Sequence, residues 1–153
     1  MLSESVSIRL ATQLDALPLI LEGADSQALR RRPAPGEWSA HENLAHLARV
    51  HEVFIERLRR ILTEERPILG RYRAEEDPEW ARWSGVPPEE VLGRLKRLRS
   101  QLTEMVKRLM PEQVSRVGVH PLFGDMTIPA WIEFFLLHEA HHLYTAMLRA
   151  RGS

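Results

Sequence analysis

Apolar residues recur at every third or fourth position in four stretches of this chain, the spacing that gathers them on one face of a helix. No stretch shows the apolar/polar alternation of a half-buried strand. The first stretch, about Ser5 to Ala24, carries Ile8, Ala11, Leu14, Leu17 and Leu21, and Pro18 is expected to kink it. The second opens at Ser39, which forms a capping box with Glu42 three residues on, and runs to about Glu64. Trp38, just before the cap, is expected to staple the chain against the first turn, and Leu44, Leu47, Val50, Phe54, Leu58 and Ile61 form the apolar side. The third opens with Pro87-Pro88-Glu89-Glu90, where proline and acids both suit a first turn, and stops at Pro111. Its stripe is Val91, Leu95, Leu98, Leu102, Met105 and Leu109. A loop through GVHPLFGDM leads to Thr127 as the cap of the fourth, which runs from about Ile128 to Arg149.

Four such stretches predict an all-α fold, a four-helix bundle formed as one domain over residues 1–153. The segment ERPILGRYRAEEDPEWARWSGVPP is too long for a bundle hairpin, whose connections run about 2–8 residues. It predicts a long crossover between helices two and three, which then run in the same direction, with Trp80 and Trp83 pinning the segment to the bundle.

Composition narrows the functional classes. Basic and acidic residues balance at 21 each, which argues against nonspecific nucleic-acid binding. The one basic cluster, Arg30-Arg31-Arg32, reads as a solvated helix end. No apolar run is long enough to span a bilayer, and MLSESVSIRL lacks the basic flank and apolar block of a secretory signal, so a cytoplasmic location is expected. Without cysteine the chain has no thiolate to act as ligand or nucleophile.

Histidine is the informative residue. His41, His46 and His51 fall in helix two, His138, His141 and His142 in helix four, and His120 in the loop before it. His138 and His142, four apart, share one helical face within the apolar stripe. Their spacing alone leaves two readings open: a shared metal, or core imidazoles satisfied by water or backbone. The string HEAHH fits the HExxH of zinc proteases, with Glu139 as base, but no His, Asp or Glu follows His142 to complete that site. A third ligand has to come from another helix. Periodicity favours His51, near the centre of helix two's apolar side, over His46 at its edge.

Two segments, PGEWSAHENLAHLARVHEVF and HPLFGDMTIPAWIEFFLLHEAHHLYTAM, carry a resemblance over the whole chain to the DinB-like (YfiT-related) superfamily of bacterial metal-binding four-helix bundles. The resemblance implies an up-down-down-up bundle and frequent homodimers. It implies His46, His138 and His142 as the metal ligands, which moves the third ligand from His51 to His46. His51 and Glu139 then become candidate catalytic groups, His120 reads as a loop residue and His41 as solvent-exposed.

Three imidazoles leave coordination positions open, the pattern of a catalytic metal. Zinc or nickel is the expected divalent ion. The resemblance points to a metal-dependent enzyme that activates a low-molecular-weight thiol for S-transfer. A hydrolase using metal-bound water, with Glu139 or His51 handling protons, is the alternative, and a noncatalytic metal-binding or stress-associated protein is the third reading.

Overall fold

The computed structural model describes residues 1–153. Helix α4 (Ala40–Thr63) begins with the capping box the sequence predicts: Ser39 Oγ accepts from Glu42 N at 3.1 Å, and Glu42 Oε2 accepts from Ser39 N at 2.9 Å. Arg32 pairs with the same Glu42 carboxylate and ties the preceding loop to the cap. Helix α6 (Pro88–Lys107) begins on its proline, as expected, and α8 (Ile128–Ala150) follows Thr127. Thr127 holds the N-cap position with extended backbone, but its hydroxyl makes no capping bond.

The first stretch departs from expectation. It divides into α1 (Glu4–Thr12), a 3-10 turn (Gln13–Ala16) and α2 (Leu17–Ile20), so the break falls ahead of Pro18. A proline cannot donate and crowds the carbonyl four residues earlier, so the chain changes its winding before reaching it. Pro18 then sits in the first turn of α2, where a missing N–H costs nothing. The buried residues are Val6, Leu10, Leu17 and Ile20, whereas Ile8 is exposed. A short helix α3 (Ser26–Arg30), capped by Asp25, fills the connection to α4.

Two core clusters give the topology. One joins Val6 and Leu10 of α1 to Phe54, Leu58 and Ile61 of α4, Leu102 and Val106 of α6, and Ile128, Trp131 and Phe135 of α8. The other joins Leu17 and Ile20 to Leu44 and Leu47 of α4, Val91 and Leu95 of α6, and Leu143 and Ala146 of α8. The late part of α4 thus meets the late part of α6, and the early parts of α1 and α8. Helices α4 and α6 run parallel to each other and antiparallel to the other two, an up-down-down-up bundle. No helix is long and apolar enough to cross a membrane.

The crossover carries a helix α5 (Trp80–Ser84) that buries Trp83, whose indole donates to Glu52 at 3.2 Å. Asp77 anchors the rest, accepting from Arg49 Nε at 2.7 Å and from the Tyr72 hydroxyl at 2.8 Å.

Past α6, a short helix α7 (Pro111–Val114) leads into a hairpin in place of the expected loop, β1 (Val117–His120) against β2 (Gly124–Thr127). Four-residue strands sit at the short limit of readable alternation, and Gly-Asp-Met-Thr of β2 holds a single apolar residue. The start of the crossover pairs with this hairpin, Leu69 N donating to Val119 O at 2.9 Å. Gly118 lies so close to the bundle that a Cβ there would sit 2.8 Å from a Leu69 methyl, and Trp131 Nε1 donates to its carbonyl at 3.3 Å.

Candidate metal centre

The capping box fixes where α4 starts, and His46 follows two turns into that helix. His138 and His142 project from α8 toward it. The three residues' ligand atoms lie within 4.8 Å of one another. His46 Nε2 and His138 Nε2 are 3.2 Å apart. Two nitrogens each about 2.0–2.1 Å from a tetrahedral zinc would be separated by roughly 3.3 Å, so the spacing suits one shared ion.

The tautomer of His142 is set by its surroundings. Its Nδ1–H donates to Asn43 Oδ1 at 2.8 Å, and Asn43 is held in turn by Nδ2 donating to Ser39 O at 2.8 Å. The lone pair of Nε2 is thereby presented to the other two rings. His46 Nδ1 and His138 Nδ1 are buried without partners. Burial lowers all three imidazoles, His46 to about 3, His138 to about 4 and His142 to about 2, with neighbouring histidines adding to the effect. Each is neutral near pH 7, the form that ligates a divalent ion. Neutral rings converging at ligand spacing, with one orientation fixed, fit a divalent metal.

The triad forms one end of a cavity of about 610 Å³. Trp38 lies tilted against His46 at 4.9 Å and Trp80 at 4.8 Å between ring centroids, so it walls the centre. Tyr72, from the crossover, faces His46 at 5.6 Å. Phe54, Phe134 and Phe135 supply an apolar floor, and Arg57, Arg71 and Arg73 line the walls with Glu75. His120, read from the sequence as a loop residue, is buried at the end of β1 and lines the cavity. Its Nδ1 accepts from Leu122 N at 3.0 Å and Phe123 N at 3.2 Å, which leaves the ring's proton on Nε2.

The structure places the two candidate catalytic groups elsewhere. His51 and Glu139 are both fully buried and neither lines the cavity. His51 Nδ1 donates to Leu47 O at 2.7 Å, and its Nε2 accepts from Arg99 Nε at 3.2 Å. Arg99 also pairs with Glu139 and donates to Leu10 O at 2.7 Å, while Gln13 Nε2 donates to Glu139 at 2.8 Å. This network joins all four helices through the middle of the bundle. The HEAHH string therefore aims its glutamate into the core, because residue 139 is turned about 100° from residue 138 on the helix. His41 is also corrected, from exposed to buried, with its Nε2 donating to Ser84 O at 3.1 Å where α5 covers the start of α4. His141 is exposed.

Sequence reasoning missed Arg99, which occupies a polar slot in the stripe of helix three, and Arg57, one turn after Val53 on the side facing the hairpin. Neither carried a signal separating it from the chain's other arginines.

Comparison with known proteins agrees with this geometry. The chain is 26% identical over 137 residues to "Putative metal-dependent hydrolase OB0782" of Oceanobacillus iheyensis, covering 86% of this chain and 78% of that one. It is 28% identical over 136 residues to "Uncharacterized protein YuaE" of Bacillus subtilis, covering 80% of this chain and 83% of that one. Its fold is similar to that of YfiT from Bacillus subtilis, described as "a probable metal-dependent hydrolase with an unusual four-helix bundle topology", with TM-score 0.80, 21% identity and coverage of 99% and 89% of the two chains. It is also similar to the four-helix bundle protein TT2238, with TM-score 0.65, 27% identity and coverage of 93% and 95%. A family model of the DinB superfamily matches residues 9–146, a span that contains all three convergent histidines; the chain belongs to that superfamily.

Proposed function

We propose that the protein is a metal-dependent enzyme whose divalent ion, zinc or nickel, is held by His46, His138 and His142 and activates a small nucleophile for attack on a substrate in the adjoining cavity. The observation that carries this reading is the convergence of three neutral imidazoles within 4.8 Å at the end of that cavity. When bound, the metal would hold a thiol as its thiolate or lower the pKa of a coordinated water toward 7.

Between the two nucleophiles the protein's own groups favour the thiol. A coordinated thiol ionises without help, whereas turning over water calls for a nearby base, and the candidates His51 and Glu139 are committed to the core. The thiol belongs to a low-molecular-weight cosubstrate, because the chain has no cysteine. Hydrolysis is the second reading. It is favoured by the name of the Oceanobacillus iheyensis relative, and Glu75 is the carboxylate among the residues that line the cavity.

The experiment begins with metal content of protein purified without chelator. About one ion per chain is expected, falling to near zero in His138→Ala. An equal and negligible content in both would end the metal reading. Loaded protein is then given a panel of small thiols with an alkylating electrophile, and separately a panel of esters and amides. Thiol consumption that disappears in His142→Ala supports S-transfer, while ester or amide cleavage without thiol turnover transfers the assignment to hydrolysis.

A further inference from the structure

Two arginines that line the cavity, Arg57 and Arg71, form no ion pair within the protein. Arg57, on α4, lies with its guanidinium 5.5 Å from the Trp131 ring centroid and spends one N–H on Gly70 O at 2.6 Å. Neither it nor Arg71 has a carboxylate within 4 Å. The acids nearest to Arg57 along α4 are engaged elsewhere: Glu52 with Arg49 at 2.8 Å and Glu56 with Arg59 at 3.6 Å. Arg73 differs, since it reaches Glu76 at 3.8 Å. Glu75 is the one carboxylate that lines the cavity, against three arginines. The charge is felt inside the cavity, where Arg57 and Arg71 both help to lower His120.

A half-buried guanidinium without a counter-ion is costly unless a ligand completes it. Its planar fork matches a carboxylate, and most of its donors are unused. Around it the wall is apolar, formed by Val50, Phe54, Phe134 and Phe135 from the helices and Leu122 and Phe123 from the hairpin. An apolar wall with polar groups converging on one space, in a pocket of this size, suits a small-molecule site.

We propose that the cavity selects an organic carboxylate with an apolar or aromatic body, its acid group held by Arg57 and Arg71 and its reacting end turned toward His46, His138 and His142. The assignment of the reacting end rests on the metal reading above; the anion preference does not.

The test compares 3-phenylpropionate with its neutral counterpart 3-phenylpropanamide by calorimetry, on chelator-treated and on zinc-loaded protein. In chelator-treated wild type the acid is expected to bind about tenfold tighter than the amide, as charge-assisted bonds to guanidinium imply. Arg57→Gln and Arg71→Gln should each erode that ratio, and the double variant should abolish it while leaving amide affinity unchanged. Arg71 is exposed and makes no hydrogen bond, so Arg71→Gln keeps the test valid if Arg57→Gln does not fold. Equal affinities, no binding of either compound up to about 10 mM, or a ratio untouched in the folded variants overturns the proposal. A preference seen only with zinc also overturns it, because the carboxylate would then be meeting the metal. If the protein holds no metal yet the preference persists without it, the anion site stands and only the chemistry assigned to the centre falls.

Discussion

Replacing Glu139 by glutamine separates the two roles that HEAHH could give this residue. The side chain keeps its size, but Arg99 loses its counter-charge in a site where the two side chains are 8% and 0% exposed. Gln13 and His51 cannot supply that charge. Removing one partner of a buried ion pair costs about 3–5 kcal/mol, because the other charge remains buried. Against a total stability of about 5–15 kcal/mol this is a large fraction. With a urea slope of about 2 kcal/mol/M, the unfolding midpoint should fall by roughly 2 M. The assay is equilibrium urea unfolding of chelator-treated protein, followed by circular dichroism, with metal content measured on the folded variant in parallel. Metal content should be unchanged. Adding Arg99→Met to Glu139→Leu should recover only part of the loss, because His51 Nε2 and Leu10 O then lose their donor. A midpoint shift below about 0.5 M, or loss of metal without loss of stability, would refute the placement of Glu139 in the structural network.

Two further outcomes follow from the geometry around the triad. Asn43→Ala removes the acceptor that orients His142, and metal affinity measured by chelator competition should weaken about 10- to 100-fold with the fold intact; an unchanged affinity contradicts that role for Asn43. His51, held at about 3 by burial and by Arg99, binds fewer protons in the folded chain than in the unfolded one below pH 6.5. Stability of chelator-treated protein is therefore full above pH 6.5 and falls as pH drops toward 3, with His51 alone contributing a loss of about 2 kcal/mol at pH 5; His46, His138 and His142 act in the same direction. A urea midpoint that holds level or rises between pH 7 and pH 5 contradicts this sign.

The parts of the fold legible in the sequence were those dictated by local rules. Ser39 and Glu42 cap α4 from positions three apart, and the apolar period reports α4, α6 and α8 because each buries one long stripe. The crossover could be read from its length. The first helix was misread because a break enforced by Pro18 is taken up several residues earlier, and because Ile8 keeps a helical spacing while facing solvent. At the site, the spacing of His138 and His142 is a property of one helix and could be read. His46 comes from another helix, and its choice over His51 depends on which side of α4 faces α8, a relation set by packing. His51 is indeed nearer the centre of the apolar side, and for that reason it lies in the core with Arg99 instead of at the cavity. Nothing local marked Arg57 or Arg71, whose distinction is the absence of a partner in space.

The cavity draws its two kinds of wall from different kinds of chain. The three histidines stand on α4 and α8, where the packed core fixes their spacing, whereas Tyr72, Arg71 and Arg73 come from the crossover and Leu122 and Phe123 from the hairpin turn. The crossover is anchored on either side of these residues, by Leu69 N donating to Val119 O and by Asp77 accepting from Arg49. Its facing residues can therefore be exchanged as a cassette between those anchors, reshaping that wall while the three histidines keep their spacing. For redesign, this makes the molecule a fixed head with an interchangeable jaw.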